Sequence, residues 1–304
     1  MSLARVTVTG ATGLIGRRLV AALQERGTHV SVLSRDAERA RAALGEVEAF
    51  SWDPLADPAP AEALHGRDAV IHLAGEPVAQ RWSETAKRAI RESRVLGTRN
   101  LVAGLRASEP RPRTLVSGSA IGYYGSHGAE PLDEDAPAGA DFLADVCAEW
   151  ERESARAAEL EMRVAQVRTG VVLDRGGGAL GKMLVPFRLG VGGPVAGGRQ
   201  YISWIHTDDI IGLILTALED ERWSGPFNAT APEPVENREF SRVLGRVLHR
   251  PAVLPVPGFA LRALYGDMAE IVTGGARVVP ARALVLGYEF REPHLEQALR
   301  SALA

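Results

Sequence analysis

The chain has 304 residues, 46% of them apolar, and a formal net charge of −3. That length suits one large α/β unit with a smaller part appended, and the apolar share supports a sizeable core. A slightly negative chain without a basic run excludes an electrostatic nucleic-acid surface. A single cysteine, Cys147, excludes an internal disulfide framework and the usual structural zinc site.

Taken in chain order, the first half alternates strands and helices. ARVTVTG reads as a strand, LIGRRLVAALQERG as an amphipathic helix ending at Gly27, and HVSVLS as a second strand. DAERARAALG is a helix ending at Gly45, VEAFSW a third strand and DAVIHLAG a fourth. SETAKRAIRESRVLGTRNLVAGLRA forms one long helix, RTLVSGS a fifth strand, FLADVCAEWERESARAAE another helix, and MRVAQVRTGVVL a sixth strand. Near-continuous apolar strands separated by helices predict a Rossmann-type, doubly wound parallel sheet covered on both faces. Beyond residue 174 glycines cluster, and after Asn228 prolines accumulate. The reading is therefore a Rossmann domain over 1–230 and a small C-terminal α/β subdomain over 231–304 on the substrate side. The start, MSLARVTVTG, runs directly into strand alternation, and no run of about 18 apolar residues occurs. A soluble, cytoplasmic protein that contacts no membrane is the expectation.

The first strand ends in TGATGLIG, with glycines at 10, 13 and 16, and a helix follows. Gly10 permits the sharp turn, Gly13 lets backbone approach a pyrophosphate, and Gly16 lets helix and strand pack closely. The helix N-terminus then offers free N–H groups and partial positive charge. Gly10, Thr12, Gly13, Leu14, Ile15 and Gly16 are the candidate cofactor contacts of this turn. A ligand-free βα turn is the plainer alternative. An NAD site usually carries an acid about 20 residues on. Here the second strand ends in Ser34-Arg35, a hydroxyl and a guanidinium suited to a 2′-phosphate, so NADP is the predicted cofactor. Asp36 reads as an N-cap of the next helix.

With these residues, HLAG at 72–75, SGSAIGYYG at 117–125 and WIHTDDI at 204–210, the chain resembles an extended short-chain dehydrogenase/reductase. SRVLGT at 93–98, RTGVVLDRGGGALGKMLVPFRLGVGGPV at 168–195 and the tail from RPAVLPVP onward are similar to an atypical branch. That branch is the NADP-dependent epimerase-like proteins with a C-terminal domain of unknown function. The resemblance covers essentially the whole chain. It implies that Leu73, Ala74 and Gly75 line the cofactor, that Arg94 contacts it, and that Val171 and Val172 pass near the nicotinamide. Arg94 is otherwise a solvated helix residue. Asp53 either meets the adenine or caps a turn before Pro54. Related folds pair through helices like those at 83–107 and 142–159, so a homodimer is one expectation.

The same resemblance implies a serine that orients substrate, a tyrosine acid/base, and a lysine four positions later that lowers the tyrosine's pKa. Ser119 matches the serine. Phe142 or Leu143 stands at the tyrosine's place, and Val146 or Cys147 at the lysine's. The residues four positions beyond the five tyrosines are His127, Gly128, Ile205, Ala269 and Glu292, so the chain contains no Tyr-x-x-x-Lys. Ser119 and Tyr123 are the catalytic candidates, with Tyr124 as Tyr123's alternate; both tyrosines equally suit packing of the strand end. Glu76, Arg81, Trp82, and Trp204 before His206, are substrate-pocket candidates or else loop and core residues. Gly176–Lys182 mimics a P-loop, but Met183 replaces the Ser/Thr, so this stretch reads as a flexible bridge over the cofactor. Asp208-Asp209 read as helix-start acids, and no metal is expected. Two readings compete: an NADP-dependent oxidoreductase or epimerase acting on an unidentified small molecule, and a non-catalytic NADP(H) sensor.

Overall fold

A strand buried on both faces needs a helix layer on each, and the alternation in the first half supplies them. In the computed structural model, which describes residues 3–304, β1 (Arg5–Thr9) leads into α1 (Leu14–Glu25), β2 (His29–Ser34) into α2 (Ala37–Leu44), and β3 (Glu48–Ser51) towards β4 (Ala69–His72). Then come α3 (Glu84–Ala107), β5 (Thr114–Ala120), the short β6 (Pro131–Leu132), α4 (Phe142–Ala155) and β7 (Arg163–Thr169). α2, α3 and α4 each begin where a side chain caps them. Asp36 accepts the N–H of Arg39 at 2.9 Å, Ser83 that of Ala86 at 3.2 Å, and Asp141 that of Ala144 at 2.9 Å. Such caps satisfy first-turn donors that have no partner within the helix. Asp36 is thus the N-cap that its position predicts.

The remaining elements are β8 (Val171–Leu173), α5 (Gly178–Arg188), β9 (Tyr201–Ile202), β10 (Trp204–His206), α6 (Thr207–Glu219), β11 (Gly225–Ala229) and β12 (Val235–Glu236). They are followed by α7 (Asn237–Val247), α8 (Gly258–Tyr265), α9 (Ala269–Thr273), β13 (Arg277–Val278), α10 (Ala281–Val285) and α11 (Leu295–Leu303). The central sheet has seven parallel strands in the order β11-β7-β5-β4-β1-β2-β3. This is the doubly wound Rossmann arrangement, with its switch point between β1 and β4. Its core joins Val6, Val8, Val32, Ile71, Val116 and Val167 to helix residues such as Leu19 and Ile214.

Two sequence expectations change. The single strand over 162–173 is two strands broken at Gly170. A side chain there would sit 2.5 Å from the Ser203 carbonyl and 2.9 Å from Thr230. The chain turns out of the sheet, and β8 pairs in parallel with β10 instead. The glycine-rich stretch is only briefly a loop, since helix α5 starts at Gly178. The strand β11, unassigned from sequence, completes the sheet beside β7. A second apolar cluster unites Leu173, Leu184, Phe187 and Trp204 with Phe240 and Leu299. Asp209 ties the C-terminal segment to α6, accepting the N–H groups of Arg291 at 2.8 Å and Glu292 at 3.0 Å. Among the described residues, no helix is long and apolar enough to cross a membrane.

Candidate functional site

The switch point is tightly built. Gly10 has φ +68°, and a Cβ on it would lie 2.6 Å from Leu73 backbone. A Cβ on Gly16 would run into the Gly10 carbonyl and lie 2.7 Å from Ala11 Cα. Only glycine fits either place, because the obstructing atoms are backbone. The N–H of Gly13 closes the turn onto Gly10 O at 3.0 Å, and α1 begins at Leu14 with no side-chain cap. Its first-turn N–H groups, at Leu14, Ile15 and Gly16, lack an acceptor within the helix. Thr12 holds the turn from outside, its carbonyl accepting Arg17 Nε at 2.8 Å.

Three neighbours frame this turn. Ser34 ends β2 and accepts the N–H of Asp36 at 3.3 Å, while Arg35 beside it is exposed. Asp53 accepts the N–H of Leu55 at 3.0 Å, so its carboxylate does cap the turn at Pro54. The stretch after β4 is cross-tied to β1: Ala74 N–H donates to Thr9 Oγ1 at 3.2 Å, and Thr9 Oγ1 lies 2.7 Å from His72 Nδ1. His72 Nε2 reaches Thr98 Oγ1 at 3.0 Å. Full burial drops this imidazole to about 4, so it is a neutral spacer. Gly75 rests on Arg94, whose guanidinium carbon lies 3.1 Å from where a Gly75 Cβ would be. Arg94 donates to the carbonyls of Glu76 at 2.9 Å and Ile90 at 3.1 Å, and stacks over Trp150 at 5.2 Å. Desolvation lowers its pKa. It is no solvated helix arginine; it braces the wall formed by Leu73, Ala74 and Gly75.

The glycine turn 176–178 reaches over α1. Cβ atoms on Gly177 and Gly178 would touch Leu14 at 3.4 and 3.2 Å. Buried Asp174, a residue the sequence reading passed over, anchors the turn. It pairs with Arg18 Nε at 2.7 Å, and accepts from Gly176 N at 2.7 Å and from Thr207 Oγ1 at 3.1 Å. Val172 of β8 packs against the main core, and Val171 faces a cavity.

That cavity, of about 630 Å³, opens at the C-terminal end of β5. Ala120 and Ile121 line it from β5, and Phe142, Leu143, Val146 and Cys147 from α4. Thr169, Gly170 and Val171 line it from the break after β7, and Val78, Trp82 and Arg94 from the β4 side. Glu270 and Ile271 of α9 close it from the C-terminal part. The closure is fastened by Lys87–Asp267 at 2.6 Å and by Arg81 Nη1 to Ala263 O at 2.9 Å. Trp82 meets Phe142 edge-on at 5.2 Å. All four positions left open for the tyrosine and lysine thus face this cavity, and none carries a proton donor of that kind. Cys147 is buried, which pushes its thiol up to about 12.

Ser119 and Tyr123 do not line the cavity. Successive strand residues point to opposite faces, so Ala120 meets the cavity while Ser119 turns away and is 4% exposed. The Ser119 hydroxyl donates to Glu151 Oε1 at 2.6 Å. Glu151 is gripped by buried Arg168 through Nε at 2.8 Å and Nη2 at 2.9 Å. Arg168 Nη1 donates to Tyr124 OH at 2.8 Å, and Tyr124 donates to Asn228 Oδ1 at 2.7 Å. Tyr123 lies over the Arg168 guanidinium, 3.6 Å from its ring centroid. Burial pushes the Tyr124 phenol up to about 12. Tyr124 therefore bonds a buried network, Tyr123 packs over its guanidinium, and Ser119 belongs to that network. Trp204, also expected at the pocket, is fully buried with Nε1 on Glu233 O at 3.1 Å. Buried His206 accepts the Asp208 N–H at the start of α6. Glu76 stays beside Arg94 through its carbonyl, and of the pocket candidates only Trp82 faces the cavity.

A model of the NAD dependent epimerase/dehydratase family matches residues 6–229, and a domain of unknown function (DUF1731) matches 256–302. The chain belongs to the NAD dependent epimerase/dehydratase family. Within it, the chain is 43% identical over 301 residues to the Arabidopsis thaliana "Epimerase family protein SDR39U1 homolog, chloroplastic", covering 98% of this chain and 86% of that one. It is 37% identical over 305 residues to Homo sapiens "Epimerase family protein SDR39U1", covering 99% and 100%. The crystal structure of human SDR39U1 (isoform 2) with NADPH matches with a TM-score of 0.88 at 35% identity, covering 98% of each chain. A structure described as a nucleoside-diphosphate sugar epimerase from Corynebacterium glutamicum matches with a TM-score of 0.80 at 35% identity, covering 99% of this chain and 58% of that one. The chain is thus an atypical, epimerase-like member of the short-chain dehydrogenase/reductase group, carrying the additional C-terminal domain.

Proposed function

We propose that this chain binds NADP(H) across the β1–β4 crevice and serves as an NADP(H)-dependent oxidoreductase at the adjoining cavity. The observation that carries the reading is the turn itself. Gly10 and Gly16 fit only without a Cβ, and the uncapped α1 follows β1 at the same end of the sheet where its parallel neighbour β2 ends in Ser34-Arg35. Backbone donors of Leu14, Ile15 and Gly16 would hold the pyrophosphate. Ser34 and the exposed guanidinium of Arg35 would hold the 2′-phosphate. Leu73, Ala74 and Gly75, braced by Arg94, would flank the ribose, and Val171 the nicotinamide side. The NADPH bound in the structure of human SDR39U1, 35% identical to this chain, supports the same choice. When bound, the cofactor supplies or accepts hydride. The chain's own residues bind it and orient it toward the cavity.

A second reading, a non-catalytic NADP(H)-responsive protein, is favoured by one observation. The cavity wall carries Phe142, Leu143, Val146 and Cys147 where a tyrosine and lysine would move protons.

Thermal shift and titration calorimetry with NADPH and NADH test the cofactor assignment. NADPH is expected to stabilise the protein more than NADH, and Arg35→Asp to abolish or reverse the order; an unchanged ratio in the variant overturns it. Single-turnover NADPH oxidation, followed by loss of the reduced nicotinamide's absorbance with a panel of carbonyl compounds, separates the two readings. Oxidation with any member supports the enzyme, and none with the whole panel supports the sensor.

A further inference from the structure

We propose that the cavity is built for a neutral, predominantly apolar small molecule rather than a nucleoside-diphosphate sugar. The proposal rests on the NADP(H) reading above and names the substrate class of that same site. A diphosphate carries at least two negative charges and needs guanidinium or ammonium groups, or rings of N–H donors, around it. The cavity supplies the opposite. Its charged lining is one guanidinium, Arg94, against two carboxylates, Asp141 and Glu270.

Each of these charges already has work. Arg94 gives Nη1 to two carbonyls and lies under Gly75 on the cofactor side. Asp141 caps α4 through the N–H of Ala144. Glu270 pairs loosely with Arg262 at 3.5 Å. On α3, Lys87 pairs with Asp267 at 2.6 Å, and Arg91 with Glu149 at 3.6 Å.

Three hydroxyls also line the cavity and are engaged locally: Thr169 donates to Val167 O, Thr273 donates to Ala269 O, and Ser126 accepts the Gly275 N–H. Most of the remaining side-chain wall is apolar. Ile121, Leu143, Val146, Val171 and Ile271 surround the space, with the Trp82–Phe142 pair at its mouth. A volume of about 630 Å³ falls within the span of ordinary small-molecule sites. Such a wall favours ligands by removing apolar area from water and penalises anions by desolvation without compensation. Phe142, Leu143, Val146 and Cys147, at the places of the usual tyrosine and lysine, belong to this wall, so the same positions that lack proton donors supply apolar surface. Ala120 does the same at the strand end, where it presents a methyl group.

The test uses the intact chain, first shown by calorimetry to bind NADPH; failure at that step would strike the cofactor reading and leave the cavity's chemistry to the dye alone. The NADPH-loaded protein is titrated with Nile red, a neutral apolar dye, and then with 2-decanone or UDP-glucose as competitor. The expected result is dye binding that 2-decanone displaces and millimolar UDP-glucose does not. Leu143→Asp should weaken dye binding roughly tenfold or more, through a buried carboxylate. Ile271→Asp, on the half-exposed rim, keeps the test open if the first variant fails to fold. Displacement by UDP-glucose, or dye binding that neither substitution changes, overturns the proposal.

Discussion

Removing the carboxylate of Glu151 is the sharpest test of how this site is held. Arg168 is 3% exposed and Glu151 10%, and the two meet through a bidentate pair at 2.8 and 2.9 Å. Burial opposes the charge on Arg168, but Glu151 more than offsets it, so the guanidinium's pKa is raised. In Glu151→Ala, two guanidinium donors and the Ser119 hydroxyl lose their acceptor inside the protein. Leaving a buried charge unpaired costs about 3–5 kcal/mol, a large part of a typical total stability of about 5–15 kcal/mol. For a chain of this size that corresponds to a fall in Tm of roughly 10 °C. Replacing both partners, Glu151→Met with Arg168→Met, removes the orphaned charge and should recover much of the loss, even though Tyr124 loses one donor. Urea unfolding of the wild type, Glu151→Met, Arg168→Met and the double variant gives the coupling directly. A loss under about 1 kcal/mol in Glu151→Ala, as an exposed pair would give, refutes the reasoning. So does a double variant that simply adds the two single losses.

Two further outcomes follow from burial. His72 falls from 6.5 to about 4 because burial disfavours the imidazolium, so the unfolded chain binds its proton first on acidification. The stability from its neutral form is complete above about pH 6.5 and is lost as pH falls towards 4, by about 3 kcal/mol at roughly 1.4 kcal/mol per unit. His72→Gln should flatten the stability–pH curve in that window, and equal slopes in variant and wild type would rule the account out. Cys147 is 3% exposed with its thiol pushed up to about 12, so iodoacetamide should label it far more slowly in the native protein than in urea. Equal labelling rates in the two states would show that the thiolate is neither buried nor suppressed.

Much of the architecture was legible because it is local. Capping residues, glycine spacing and strand–helix alternation each act within a few positions of the chain, so TGATGLIG, Asp36 and Ser34-Arg35 announced the crevice and the candidate cofactor site. The absence of Tyr-x-x-x-Lys is likewise a property of the sequence alone. Arg94 was recognised by resemblance, but its place under Gly75 required the packing of α3 against the end of β4.

The sequence by itself determined which residues can turn, cap and stack, and which proton donors the chain lacks. Only the tertiary structure decided which way each side chain faces. Ser119 and Ala120 are adjacent, yet register puts the hydroxyl into the Glu151–Arg168 network and the methyl group into the cavity. At the Gly170 break the Ser203 carbonyl leaves no room for a side chain and accepts the Val171 N–H, and Asp267 meets Lys87 across the cavity's closure. Such contacts join positions far apart in the chain. They follow from the order of strands and the packing of whole elements, which no local pattern of residues encodes.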